Sequence, residues 1–155
     1  MPELQKQIKN KIEIRYALNL DFRKILKIEK ELNLPITSLI LFKSLVNEQN
    51  VIILEHIVSR EIYGFLQFRG DNISSEIITL GIKKKYQNTG FGRKLFDYIV
   101  KKGYKNIFLE VSNLNKKGIK FYKNIGFKEI SRRKKYYENN KKIKEDALLM
   151  NFTKT

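Results

Sequence analysis

Between residues 77 and 100 an apolar run, a turn with two glycines and a renewed apolar periodicity follow one another, and they restrict the fold more than any other stretch. The run is Ile77-Ile78-Thr79-Leu80-Gly81-Ile82, and the turn is Tyr86-Gln87-Asn88-Thr89-Gly90-Phe91-Gly92-Arg93-Lys94. In the segment that follows, Leu95, Phe96, Ile99 and Val100 carry the spacing of one helix face. The order is strand, glycine-bearing turn, helix. Two glycines in the turn let the backbone bend tightly and present successive N–H groups. Those groups stand at a helix N-terminus, whose dipole favours negative charge, so a pyrophosphate suits the turn. A Walker loop is excluded, because no Gly-x-x-x-x-Gly-Lys-Ser/Thr string occurs. A dinucleotide fingerprint is excluded as well, because Leu95 stands where its third glycine belongs.

The rest of the chain predicts a mixed sheet. Ile12, Ile14 and Tyr16 alternate with charged residues as a strand does. Asn19 or Asp21 can cap a helix with Phe22, Ile25, Leu26 and Leu32 on its apolar face; Glu29 is the polar exception there, and Pro35 ends the helix. Thr37 or Ser38 starts a second helix through Val46, and 51–58 and 62–68 read as a hairpin. After the helix that Gly103 closes, 107–111 is a strand parallel to 76–82, because a helix crosses over between them. Asn113 or Asn115 caps a helix that runs to Asn124 and is closed by Gly126. Residues 127–130 and 147–152 are the last strands, separated by the polar loop 138–142, and residues 1–11 are frayed or a helical lead-in. The prediction is an α/β (α+β) fold in the order β-α-α-β-β-β-α-β-α-β-β, about seven twisted strands with about four helices. All 155 residues form a single domain on this reading.

Composition excludes several chemistries. There are no cysteines and one histidine, His56, so a zinc site, a cysteine nucleophile and a hydrolase triad lack their residues, and no metal is expected. No apolar run approaches the ~18 residues of a membrane helix and no signal core is visible, so no membrane partner and a cytoplasmic location are expected. The net charge of +16 allows contact with nucleic acid. However, 25 of the 32 basic residues are lysines spread over the whole chain, which favours a compositional bias over a designed RNA-binding face.

Four further strings carry a resemblance: Phe108-Leu109-Glu110-Val111-Ser112-Asn113-Leu114-Asn115, then Ile119 to Phe127, then Arg132-Arg133-Lys134-Lys135-Tyr136-Tyr137, then Glu145 to Met150. With the Gln-x-x-Gly-x-Gly turn, they resemble the GNAT superfamily, and within it the RimI-like ribosomal-protein-alanine N-acetyltransferases, over about residues 12–152. The resemblance implies the GNAT fold and acetyl-CoA as co-substrate. It places the cofactor contacts on Leu80, Gly81, Ile82, Asn88, Thr89, Gly90, Phe91, Gly92, Arg93 and Asn115. It makes Glu110 the proton acceptor and Tyr122 the proton donor, with Tyr136 and Tyr137 lining the acceptor channel. The chemistry agrees, since an N-terminal amine arrives as ammonium and must lose a proton before it attacks. The expected acceptor is a protein N-terminus, by resemblance the N-terminal alanine of the eighteenth small-subunit ribosomal protein. The alternatives are another protein N-terminus, a polyamine or an antibiotic, and, in a different class, a non-catalytic basic module that binds RNA. The chain departs from the family pattern at Ile36, where a tryptophan is expected, and at Lys83-Lys84-Lys85.

Overall fold

The computed structural model describes residues 2–9, 11–138 and 144–155, with all their side chains except those of 4, 5, 8, 9, 135–138 and 144. Seven strands form one mixed sheet in the order β1-β2-β3-β4-β5-β7-β6. The chain divides into two compact units, one of residues 1–69 and 78–102, the other of residues 70–77 and 103–155.

The first unit holds helix α1 (Pro2–Lys9), strand β1 (Ile12–Tyr16), α2 (Phe22–Glu31), α3 (Leu39–Asn47), β2 (Val51–His56), β3 (Ile62–Gly70, but for its last residue), the C-terminal part of β4 (Ser75–Ile82) and α4 (Phe91–Lys101). Strands β1, β2 and β3 pair antiparallel. Ile25 and Ile28 of α2 and Phe42 and Leu45 of α3 close on Val51, Ile53, Ile62 and Phe65 to form the core. Each fully buried aliphatic or aromatic side chain there contributes about 1.5–3 kcal/mol.

Helix α2 stops before the proline does its work. Asn33 takes a left-handed φ of 53°. Its N–H donates to the Lys30 carbonyl, and the Leu34 N–H to the Glu29 carbonyl, a Schellman stop with Asn in the glycine place. Of the two capping candidates for α3, Ser38 caps, its Oγ accepting the Leu41 N–H at 3.2 Å. Asp21 stands at the head of α2 but does not cap it. Its carboxylate accepts the Leu18 N–H and both terminal nitrogens of Arg15.

The polar exception on α2 has a use. Glu29 is fully buried, and its carboxylate accepts the Thr37 N–H at 3.1 Å, the Thr37 hydroxyl at 2.5 Å and Gln67 Nε2 at 3.2 Å. A buried carboxylate without such donors is very costly, so these three bonds hold the 32–37 connection to β3.

The second unit holds the start of β4, β5 (Asn106–Ser112), α5 (Lys116–Asn124), β6 (Lys128–Glu138) and β7 (Lys144–Thr153). Strand β5 pairs antiparallel with β7 along its whole length and parallel with β4 through Ser75↔Ile107 and Glu76↔Phe108. Ile107, Leu109 and Val111 point into a core with Phe127, Leu148 and Met150. Strand β6 is longer than the predicted 127–130. Arg132, Arg133 and Lys134 break every apolar alternation, and β6 stands at the sheet edge, where pairing with β7 alone sustains it. Most of the predicted loop 138–142 lies outside the described residues.

Candidate active site

The predicted site residues fall into two groups, one in each unit. In the first, β4 ends at Ile82 and a 3₁₀ turn (Lys84–Tyr86) leads into α4. Gln87 Nε2 donates to the Ile82 carbonyl at 2.9 Å and ties the turn back to the strand end. The Thr89 hydroxyl donates to the Tyr86 carbonyl. Asn88 has φ 61° and Gly90 φ 87°, so two residues in three take the left-handed region. This bends the chain until the amides of Phe91, Gly92 and Arg93 form the start of a helix.

The helix starts differ in how they are closed. Ser38 caps α3, and Asn115 caps α5 by accepting the Gly118 N–H at 3.0 Å. Helix α4 begins at Gly90 with no side chain on its first amides. Those orphan donors and the positive end of the helix dipole remain available to an anion. A Cβ added at Gly90 would meet nothing within 4 Å, so the turn is open on that side.

The side chains of the turn have separate duties. Phe91 is 2% exposed and belongs to the core, so only its backbone can reach a ligand. Arg93 is exposed and lies 3.8 Å from Asp97 one turn on. Tyr86 stacks on Tyr63 with ring centroids 3.6 Å apart and donates to Glu61 at 3.0 Å. Lys83 and Lys85 also pair with Glu61, at 3.1 and 3.2 Å. Glu61 thus offsets one of the three positive charges in the Lys83-Lys84-Lys85 run.

Gly81 is glycine for a packing reason that sequence reading did not give. A Cβ there would lie 2.9 Å from the Phe65 ring and 3.1 and 3.2 Å from Leu34 and Leu32. On the neighbouring strand a Cβ at Gly64 would lie 2.8 Å from the Gly81 carbonyl oxygen. The two glycines let β3, β4 and the 32–34 connection close on one another.

In the second unit Glu110 sits on the half-exposed face of β5, which alternates with the buried Leu109 and Val111. Its carboxylate pairs with Arg133 of β6. Ser112, two residues on, donates to Glu145 of β7. Tyr122 lies on α5 between aromatic edges, 5.2 Å from the Phe121 ring and 5.5 Å from that of Phe127. Desolvation pushes its phenol up to about 12. It therefore keeps its proton throughout the neutral range. Full transfer from a phenol so raised to a thiolate of ordinary basicity would be uphill by roughly 4–5 kcal/mol, so such a group is better suited to donating a hydrogen bond. The Asn115 side-chain Oδ1 is committed to the Gly118 N–H, and a Cβ at Gly118 would lie 2.6 Å from the side-chain Nδ2. The side chains of Tyr136 and Tyr137 lie outside the described residues.

Sequence reasoning missed Arg133 as the partner of Glu110 and Gln87 as the lock on Ile82. Gln87 stood in the glycine string, but nothing in a string says that an amide turns back to a strand carbonyl.

The acetyltransferase (GNAT) domain family matches residues 47–129, and the chain belongs to that family. It is an acyltransferase with acetyl-CoA as co-substrate. The chain is 30% identical over 136 residues, 84% of its length and 90% of the relative's, to the [ribosomal protein bS18]-alanine N-acetyltransferase of Haemophilus influenzae. Among solved structures it resembles the ribosomal-protein-S18-alanine N-acetyltransferase of Escherichia coli, with TM-score 0.77, 22% identity, and coverage of 92% of this chain and 93% of that one. The NatC complex bound to Gag peptide and CoA has the same fold, with TM-score 0.77, 20% identity, and coverage of 94% and 99%. Among the described residues no helix is long and apolar enough to cross a membrane.

Proposed function

We propose that this chain moves the acetyl group of acetyl-CoA onto the N-terminal α-amino group of a protein, the N-terminal alanine of ribosomal protein bS18. The observation that carries the acceptor is the identity to the Haemophilus influenzae enzyme across most of both chains. The observation that supports the donor site is the uncapped start of α4 behind Asn88 and Gly90. On this reading the amides of Asn88 to Arg93 hold the pyrophosphate. The backbone of Leu80, Gly81 and Ile82 pairs with the pantetheine amides, and the Ile82 N–H faces the developing oxyanion. Asn115 offers a further polar contact to the cofactor.

The acceptor arrives as ammonium and gives one proton to Glu110. The free amine attacks the thioester carbon, the new C–N bond forms, and the C–S bond breaks. The departing sulfur takes a hydrogen bond and then the proton from Tyr122, which is replenished as the nitrogen sheds its second proton. Glu110 releases its proton to water. Positioning amine against thioester supplies the larger share, about 7–11 kcal/mol, and acid–base assistance ~10²–10⁴-fold. Tyr136 and Tyr137 line the acceptor path, and the reaction takes place in the cytoplasm, within a single domain.

The test is an acetylation assay on peptides with the bS18 N-terminus, read by mass spectrometry. Acetyl on the alanine α-amine is the expected product, with slower transfer to spermidine or to peptides beginning with other residues. A preference for spermidine would reassign the acceptor. Binding to RNA without any transfer would favour the basic-module reading that the +16 charge allows.

A further inference from the structure

The register of the second unit puts Glu110 opposite Leu149 of β7 and Leu149 opposite Ser131 of β6. Opposed residues share a face, and so do residues two apart along a strand. Arg133 therefore stands on the face of Glu110 with one strand between them, and its guanidinium spans β7 to the carboxylate. Arg132 belongs to the other face and pairs with Glu129 at 3.6 Å and Asp146 at 3.5 Å. The two adjacent arginines thus have unlike tasks. Only Arg133 meets the residue assigned as base.

The pair is asymmetric. The Glu110 side chain is 22% exposed and held mid-strand, whereas that of Arg133 is 56% exposed at the end of a long arm. The ladder of β6 slips between Arg133 and Tyr137, so the arm also leaves from the last regular position before a bulge. An ion pair with so exposed a partner is weak, so a second cation can compete for the carboxylate, which stays in place.

We propose that Arg133 is a displaceable counter-ion of Glu110, and that the acceptor's ammonium takes its place. The inference rests on the reading of Glu110 as the base. In the resting enzyme the guanidinium holds the carboxylate in place. An arriving ammonium substitutes one cation for another at the same oxygens, so the site never holds a bare carboxylate and favours charged amines over neutral groups. Transfer turns the ammonium into a neutral amide, which no longer competes. Arg133 then returns to Glu110 and helps the acetylated N-terminus leave. Arg133 is a positioning residue here and acts only through Glu110.

The test compares wild type, Arg133→Met, Arg133→Lys, Glu110→Gln and Arg133→Met combined with Glu110→Gln. Two readouts are used: turnover, and the affinity of a fluorescent peptide with a free N-terminal alanine for the enzyme–CoA complex. Removing the competitor in Arg133→Met tightens the free-amine peptide about 3–5-fold while turnover falls about 3–10-fold. The affinity of the N-acetylated peptide loosens or stays level, Arg133→Lys stays near wild type, and Arg133→Met adds nothing on top of Glu110→Gln. Weaker or unchanged binding of the free-amine peptide to Arg133→Met overturns the proposal, as does an equal effect with Glu110→Gln present. Full turnover by Glu110→Gln, with the peptide still tightened in a Glu110-dependent way, keeps the counter-ion and removes Glu110 as base.

Discussion

The side-chain amide of Gln87 donates to the main-chain carbonyl of Ile82 across 2.9 Å, which joins the end of a strand to the turn that opens α4. The bond spans five residues and fixes the direction in which the next amides point. Its net contribution is about 1 kcal/mol, as for a neutral hydrogen bond. Gln87→Ala is expected to raise the KM for acetyl-CoA about 5-fold with little change in the acceptor KM, measured by initial rates with each substrate varied in turn.

Glu110→Gln keeps the shape of the side chain and removes its capacity to take a proton. Turnover is expected to fall by ~10²–10⁴ with acetyl-CoA affinity nearly unchanged. Single-turnover rates together with calorimetric binding of acetyl-CoA check both halves. An enzyme of full speed would leave Glu110 outside the chemistry.

Tyr122 and Tyr63 are both raised to about 12, chiefly by desolvation. A phenol with a raised folded value contributes stability that is fully present below its unfolded value near 10 and is lost as pH rises through about 12. Absorbance titration at the phenolate band should therefore show at least two late ionisations, and Tyr122→Phe should remove one of them. Activity should show no alkaline limb from Tyr122 below its raised value.

Asp21 is fully buried beside Arg15. Burial by itself would raise its carboxyl, but the hydrogen bonds from Arg15 and the Leu18 N–H outweigh that and hold it below the ordinary 3.8. A lowered folded value contributes stability above 3.8 that disappears as pH falls through the folded value. Asp21→Asn should thus destabilise the protein at neutral pH and flatten its acid unfolding curve, as read by circular dichroism. Leaving Arg15 with less compensation costs about 1–3 kcal/mol.

The glycines separate packing from conformation. Alanine at Gly64 would strike the Gly81 carbonyl, which is main chain and cannot swing away. Alanine at Gly90 has space but must hold φ at 87°, which costs about 1–2 kcal/mol. Chemical denaturation is expected to rank Gly64→Ala as the more damaging. Gly90→Ala should fold, and it should lose acetyl-CoA affinity more than stability.

What could be read in the sequence followed the strength of local patterning. The alternation in β1, the apolar faces of α2 and α4, and the glycine stops at 103 and 126 were legible, because each depends on neighbours a few residues away. The end of α2 was placed at Pro35, yet Asn33 ends it, since a left-handed asparagine leaves a fainter trace than a proline. The length of β6 was not legible, because a run of arginine and lysine carries no alternation and owes its extended form to β7. For the site, the turn and Glu110 were visible as strings. Arg133 was not assigned to Glu110, because their contact depends on a register across three strands, which no local window contains.

The bare amides at the head of α4 have a practical side. Any small tetrahedral oxyanion in the buffer should settle there, raise the melting temperature and act as a competitive inhibitor toward the coenzyme. Rates taken in phosphate or sulfate would then understate the enzyme, and those taken in chloride would come nearer to its true speed.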